Sequence, residues 1–534
     1  MSIPYIKKAH AKKILMVHDK PFIMLAGEVH NSNSSSVAYM EQVWDKADSL
    51  GMNSLLLPIS WEMVEPEEGV FDFSLVDGLV NQARRRGKKL GLLWFGAWKN
   101  AQCYYAPSWV KTDLNRFKRA EIVKGKNKIS LDNYYGMSYT SLSYLCEETK
   151  KADTKAFRAF MKHLKNIDES ENTVVIVQVE NETGIMGSGR ENSDYADALF
   201  ASDVPSEFIE FMKAHVDTMA KDVSESVKNG KNAGPWKDVF GDNAEEIFSA
   251  YHISGYVNEV ATAGKEEYPL PMVANCWLDK GQKPGDYPTG GPVARMMEVW
   301  KYRAPSIDVI APDIYVPNFC DICDEYTKLD NPLFIPETAI HSYAGPRQVY
   351  TIGHYHGMCY APFGFEGMGE PIDASMSFLF GVDNTDPALA TPQNTDEYSW
   401  YTKTLNNLLP VLTSKYGTAN LQAVCSERKE QDTMVFGDYG FKVRFDLPMI
   451  KQNDGVCLVV KGRCDNEFYI IVNRCAVSMF SANEEAPHID ILSLEDGVFE
   501  NGIWHMSRRL NGDEAAITLY HKPTLLKMKL FTYR

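Results

Sequence analysis

Short, almost continuously apolar runs recur over the first 370 residues, at 21–30, 53–62, 89–98, 173–182, 270–277, 306–315, 332–339 and 357–366. Runs of that length suit strands covered on both faces, as in a parallel sheet. Between them the period becomes helical. Met40, Val43, Trp44, Ala47 and Leu50 repeat at helical spacing before Gly51, and Val76, Leu79, Val80 and Ala83 do so before Gly87. A third stripe, Phe157, Phe160, Met161 and Leu164, has Asp153 or Thr154 available as its cap. Eight strands joined by helices predict an α/β architecture, a (β/α)8 TIM barrel. A doubly wound sheet fits the same alternation, but no Gly-rich phosphate loop follows the first run, so dinucleotide binding loses support. The connections 183–269 and 278–305 read as longer than those after the first three strands. Such loops shape the pocket of a barrel enzyme.

After about residue 415 the pattern changes. Segments 441–449, 455–462, 467–480, 503–510, 515–521 and 525–534 are strand-like and separated by Asn, Asp and Gly turns. They predict a small antiparallel β-sandwich. The expected domains are therefore a catalytic barrel over 1–414 and a β-sandwich over 415–534.

Composition narrows the partners. A net charge of −16 disfavours nucleic acid and anionic membrane, which need a basic surface. The longest basic cluster, Arg84 to Arg86 with Lys88 and Lys89, closes a predicted helix, where cations complement the dipole. The first 20 residues lack the apolar run of a secretory signal, and no stretch has the length of a membrane span. The expectation is a soluble cytoplasmic protein, with homo-oligomerisation left open. Of ten cysteines only Cys320 and Cys323 form a C-x-x-C, and no second ligand pair accompanies them. Free, reduced thiols are the reading, rather than zinc or a redox centre. His30 has no carboxylate or His partner at ligand spacing, and His354 and His356, which could share a strand face, read as ordinary polar residues just before the eighth strand; neither a metal nor a cofactor is expected.

The chemistry sits at two strand ends. Glu182 closes the fourth run and Glu337 closes the seventh. A single glutamate there is most simply a solvated side chain. Two of them, each ending an apolar strand on the catalytic face, match the two carboxyl groups that cleave a glycosidic bond with retention, about 5 to 5.5 Å apart. Trp98, Trp277 and Phe365 close the third, fifth and eighth runs and are candidates to flank a sugar ring; Asn275 and Glu28 are candidates to bind its hydroxyls.

The segment Gln178-Val179-Glu180-Asn181-Glu182 resembles the Q-x-E-N-E motif of glycoside hydrolase family 35, the β-galactosidase family of clan A, in its bacterial branch with a C-terminal β domain. The resemblance runs through 20–370. It implies Glu182 as acid/base, Asn181 as the contact to the sugar 2-hydroxyl and Glu337 as nucleophile. Trp61-Glu62, Glu65-Pro66 and Gly69 to Phe73 resemble the segment after the second strand in families 35 and 42, where they shape a loop. Ala311-Pro312-Asp313-Ile314-Tyr315 ends the sixth run, and the clan resemblance implies that Tyr315 hydrogen-bonds the nucleophile and stabilises its charged form. The loop 285–291 is expected to wall the subsite. One departure stands out: many members carry G-E-x-H-Y-x-R at the first strand, whereas Asn31 and Asn33 replace the Tyr and Arg here.

The implied activity is that of a retaining exo-β-glycosidase on terminal, non-reducing β-galactosides or related β-hexosides of oligosaccharides. Glu182 has to carry a proton at the start, a state that burial and a charged neighbour favour. Two rivals remain at this stage: a transglycosidase passing the same glycosyl group to a sugar acceptor, and a non-catalytic carbohydrate-binding barrel.

Overall fold

The computed structural model describes residues 2–134, 137–372, 377, 385, 390–448, 454–500, 502–516 and 519–534. Eight parallel strands close a barrel: β1 (Met24–Glu28), β2 (Ser54–Ser60), β3 (Lys89–Phe95), β4 (Val174–Val179), β5 (Met272–Trp277), β6 (Val309–Ile314), β7 (Phe334–Thr338) and β8 (Cys359–Pro362). They follow one another around the barrel in chain order. Each lies within one of the eight apolar runs, and the TIM-barrel expectation holds. Continuous hydrophobicity is the signature because these strands face a filled interior on one side and helices on the other. The first run is broken, however. Lys20–Phe22 belongs to a separate antiparallel sheet with Tyr5–Ala9 and Lys12–Val17, and the barrel strand starts at Met24.

The chain divides into two compact units. The first comprises residues 1–5, 31–40 and 56–313. In it β4 pairs with β3 and with β5, and β5 pairs with β6. Helix α1 (Val37–Leu50), of which residues 41–50 belong to the second unit, stops at Gly51, whose φ is +75°, and α2 (Ser74–Arg85), in the first, stops before Gly87, at φ +65°. Helix α3 (Glu147–Asp168) packs against the long α4 (Ala244–Glu267).

Two sequence expectations need correction here. Helix α3 begins at Glu147, with Cys146 at its N-cap, so Asp153 does not cap it; Asp153 is fully buried in mid-helix. The connection after β3 is also longer than the one after β5: residues 96–146 precede α3 and hold two small β-ribbons, Ile122–Lys124 with Asn127–Ile129 and Asp132–Tyr134 with Met137–Tyr139. Those ribbons are too short and polar to carry a hydrophobic signal.

The second unit comprises 6–30, 41–55 and 314–534. In it β7 pairs with β8, and β8 with β1. Helix α5 (Ala344–Gly353) follows β7, and α6 (Thr395–Thr413) is capped by Asn394, which accepts the Glu397 N–H. Two antiparallel sheets follow. One runs β9 (Leu421–Cys425), β12 (Val456–Lys461), β13 (Glu467–Asn473), β18 (Thr524–Tyr533), β15 (His488–Glu500), β16 (Ile503–Arg509). The other runs β10 (Gln431–Phe436), β11 (Tyr439–Arg444), β14 (Cys475–Ser481), β17 (Leu519–Tyr520). Phe436, Phe441, Val459, Phe468 and Ile470 share one buried cluster with residues of both sheets, which makes the predicted sandwich. The run 467–480 is two strands rather than one, broken at Arg474 with φ +48°. Residues 513–516, in part predicted as strand, form a helical turn.

His354 and His356 are structural, as the sequence suggested. His356 accepts the Gly417 N–H at 2.7 Å through Nδ1 and lies 3.1 Å from the Leu421 carbonyl through Nε2. Both nitrogens are used by a neutral ring, and burial lowers the pKa from 6.5 to about 4. The unfolded chain therefore binds the proton first as pH falls, and stability contributed above pH 6.5 is lost on the way down to about 4. A His356→Gln variant should show its largest urea-unfolding deficit above pH 6.5, narrowing by about 1.4 kcal/mol per pH unit below it. A deficit constant from pH 7 to 4.5 would refute this account.

Candidate active site

The fourth strand ends in a strained turn. Glu180 has φ +62° and Glu182 φ +44°, left-handed conformations that cost a non-glycine residue about 1 to 2 kcal/mol each. Buried groups over-determine them. The Glu180 carboxylate accepts the Trp98 N–H at 2.8 Å and meets Asp153, which in turn accepts from Trp94 Nε1 and the Tyr256 hydroxyl, each at 2.9 Å. Burial raises the pKa of both acids, most in Glu180, and the Asp153 charge adds to it there. Glu180 is the partner that holds the proton, because Asp153 has two other donors to support its charge. Gly96 admits this pair: a Cβ there would stand 2.5 Å from Glu180 Oε1 and 2.7 Å from Asp153 Oδ1.

The turn presents Asn181 and Glu182. Lys99 Nζ donates to Asn181 Oδ1 at 2.9 Å, both side chains being buried, and this fixes the amide with its NH2 group turned from the lysine. The Glu182 N–H donates to Asn275 Oδ1 at 3.1 Å, and Asn275 Nδ2 donates to Asp313 Oδ2 at 2.8 Å. Carboxylate oxygens of Glu182 and Asp313 lie within 4.8 Å of each other. Glu182 is 6% exposed, sheltered yet reachable.

In the second unit, Glu337 lies on β7 with 4% exposure. The Tyr315 hydroxyl donates to Glu337 Oε2 at 2.7 Å, the contact the resemblance implied. Glu28 ends β1 fully buried, its carbonyl accepting the Gly364 N–H. His30 meets Glu366, with N–H to Oε1 at 3.2 Å and Nδ1 to Oε2 at 3.5 Å.

The aromatic expectations divide. Trp277, at the end of β5, is partly exposed. Phe365 is fully buried against Gly27, where a Cβ would come within 2.4 Å of its ring, so it packs the barrel and offers no face to a sugar. Trp98 is 1% exposed and stacks edge-on to Tyr256 at 4.8 Å, so it too packs rather than forms a platform. Its indole Nε1 is buried with no hydrogen-bond partner among the described residues. Asn275, expected to bind a hydroxyl, spends its carbonyl and one amide hydrogen on Glu182 and Asp313.

Sequence reasoning passed over four residues: Asp313, Glu180, Asp153 and Lys99. Asp313 and Glu180 did have a signal, since each is an acid in the closing residues of an apolar strand, as Glu182 is. Asp153 and Lys99 had none, because their meaning depends on what they meet across the fold.

A family model described as a domain of unknown function (DUF5597) matches residues 401–519, over the sandwich rather than the barrel. No curated protein matches the chain. Among solved structures it is similar to β-galactosidase from Bacillus circulans sp. alkalophilus, at 12% identity over 72% of this chain and 56% of that one, TM-score 0.46. It is also similar to the catalytic domain of β-amylase from Paenibacillus polymyxa, at 11% identity over 71% and 97% of the two chains, TM-score 0.45. A third is exo-β-1,4-mannosidase Op5Man5 from Opitutaceae bacterium strain TAV5, at 13% identity over 76% and 62%, TM-score 0.41. The chain thus spans 56% of the length of the first of these. At this level of likeness a functional reading has to come from the site's own residues.

Proposed function

We propose that the chain is a retaining exo-β-glycosidase of the family 35 kind, releasing terminal β-hexosyl groups, β-galactosyl first, from oligosaccharides. The observation that carries the reading is the placement of Glu182 and Glu337. They stand at the C-terminal ends of the fourth and seventh strands of a closed parallel barrel, the rim on which such barrels do their chemistry.

In this reading Glu337 attacks the anomeric carbon while Glu182 gives its proton to the departing oxygen. The C–O bond to the leaving group breaks as the glycosyl–Glu337 ester forms. Water then loses a proton to Glu182, adds to the same carbon and frees Glu337, with net retention. The surrounding contacts suit these roles: the Tyr315 hydroxyl donates to one oxygen of Glu337, and Asn275 anchors the backbone of Glu182. Lys99 fixes the orientation of the Asn181 amide, which in this reading contacts the 2-hydroxyl.

The test is a panel of p-nitrophenyl glycosides with proton NMR of the first-formed sugar. Release from the β-galactoside, with the β-anomer appearing first, is expected. An α-anomer first would replace retention by inversion. Release from the β-glucoside alone would move the sugar assignment, and no release from any β-glycoside would end the glycosidase reading.

A further inference from the structure

We propose that a hydroxyl-lined cavity in the unit that carries Glu182 is a second sugar subsite, taking the neutral hexopyranose ring on the leaving-group side of the bond. The placement on that side rests on the glycosidase reading above.

The cavity holds about 330 Å³, within the range of pockets that bind small ligands. Its walls come from the C-terminal end of β2 and the segments after β1, β2 and β3, with Leu75 of α2, so it lies on the same strand-end face as Glu182. The first segment, Asn31-Ser32-Asn33-Ser34-Ser35-Ser36, is six small polar residues in a row. The serines hold the loop in place: Ser34 Oγ donates to the Pro58 carbonyl on β2 at 2.7 Å, and Ser35 Oγ to the Ser32 carbonyl at 2.6 Å. Asn31 Oδ1 is buried and has no hydrogen-bond partner among the described residues. A buried amide oxygen without a donor costs about 1 to 3 kcal/mol, a cost that a ligand hydroxyl would remove.

The lining also selects the chemistry. Hydroxyls of Ser32, Ser60 and Tyr105 stand beside the apolar Met63 and Leu75, a mixture that matches a pyranose, polar at its edge and aliphatic on its faces. The charged lining residue is Glu62, already paired with Lys111 at 3.1 Å. No cation lines the cavity among the described residues, so an anionic sugar finds no counter-charge. A neutral ring fits.

One loop joins this cavity to the acid/base. Ala101 N–H donates to the Glu182 carbonyl at 3.1 Å, while the Tyr105 carbonyl accepts the Glu62 N–H at 3.0 Å. Four residues span at most about 14 Å, so the two places are within a disaccharide's reach. The general acid must sit beside the oxygen that leaves, and a ring beyond that oxygen would extend toward the loop.

Filling the cavity from its rim tests this. Ser35 is exposed, and a Ser35→Trp side chain would occupy the space; Ser32→Phe is the second filling variant, and circular dichroism checks both folds. Disaccharide binding is measured on full-length Glu337→Gln protein with and without each substitution, by calorimetry with lactose, cellobiose and β-1,3- and β-1,6-galactobiose. Glucuronic acid is the charged control. The expected result is at least about tenfold weaker binding of the best disaccharide in both filled variants and no binding of glucuronic acid. Equal disaccharide affinity with the cavity filled, or no disaccharide bound before filling, overturns the subsite. Failure to cleave any aryl glycoside would instead sink the glycosidase reading, and the affinities would still score the cavity separately.

Discussion

Replacing Glu337 with glutamine is expected to lower turnover of a p-nitrophenyl β-galactoside by about 10⁴-fold or more, an increase in barrier of about 5.5 kcal/mol. The substitution keeps the volume of the side chain and leaves a carbonyl oxygen for the Tyr315 hydroxyl, now 2.7 Å away. What it removes is the negative oxygen that forms the bond to the anomeric carbon. Folding should be almost untouched, because the change is isosteric and keeps an acceptor for the Tyr315 hydroxyl. Thermal unfolding within a few degrees of wild type, together with lost turnover, would separate chemistry from stability. A variant that hydrolysed the aryl glycoside as fast as the parent would show that Glu337 is no nucleophile, whatever its position on β7.

The barrel was legible because its signal is local. Eight runs of four to eight apolar residues, such as Leu55 to Ile59 and Val174 to Val179, need no knowledge of their neighbours to read as doubly covered strands. The same locality exposed Glu182 and Glu337, since a strand's last residues on a parallel barrel point to one rim. Partners across the fold were not legible. Asp153 sits early in a helical stretch, where aspartate commonly caps, yet its carboxylate is buried against Glu180, Trp94 and Tyr256. Phe365 ends the eighth run as an aromatic platform would, but the glycine at position 27 draws its ring into the barrel wall. Strand β15, thirteen residues long, escaped notice because it is half-buried and carries four acids among its apolar positions.

Glu182→Ala should divide substrates by how much help their leaving group needs. Loss of the acid is expected to slow a p-nitrophenyl β-galactoside by about 10² to 10⁴-fold, whereas a 2,4-dinitrophenyl glycoside, whose leaving group departs unprotonated, should still form the glycosyl ester rapidly. Its hydrolysis then stalls for want of a base, so a burst of dinitrophenol precedes slow turnover. Azide needs no deprotonation and can enter the space vacated by the carboxyl, so it should restore turnover and yield a β-glycosyl azide. The geometry favours a clean experiment. Position 182 keeps its Cβ and its φ of +44°, and the backbone N–H that Asn275 holds at 3.1 Å is untouched. If the dinitrophenyl substrate suffers as much as the poorer one and azide does nothing, Glu182 does not handle the proton. Asp313, whose carboxylate comes within 4.8 Å of that of Glu182, is then the residue to examine, with Asp313→Asn expected to take over the same signature.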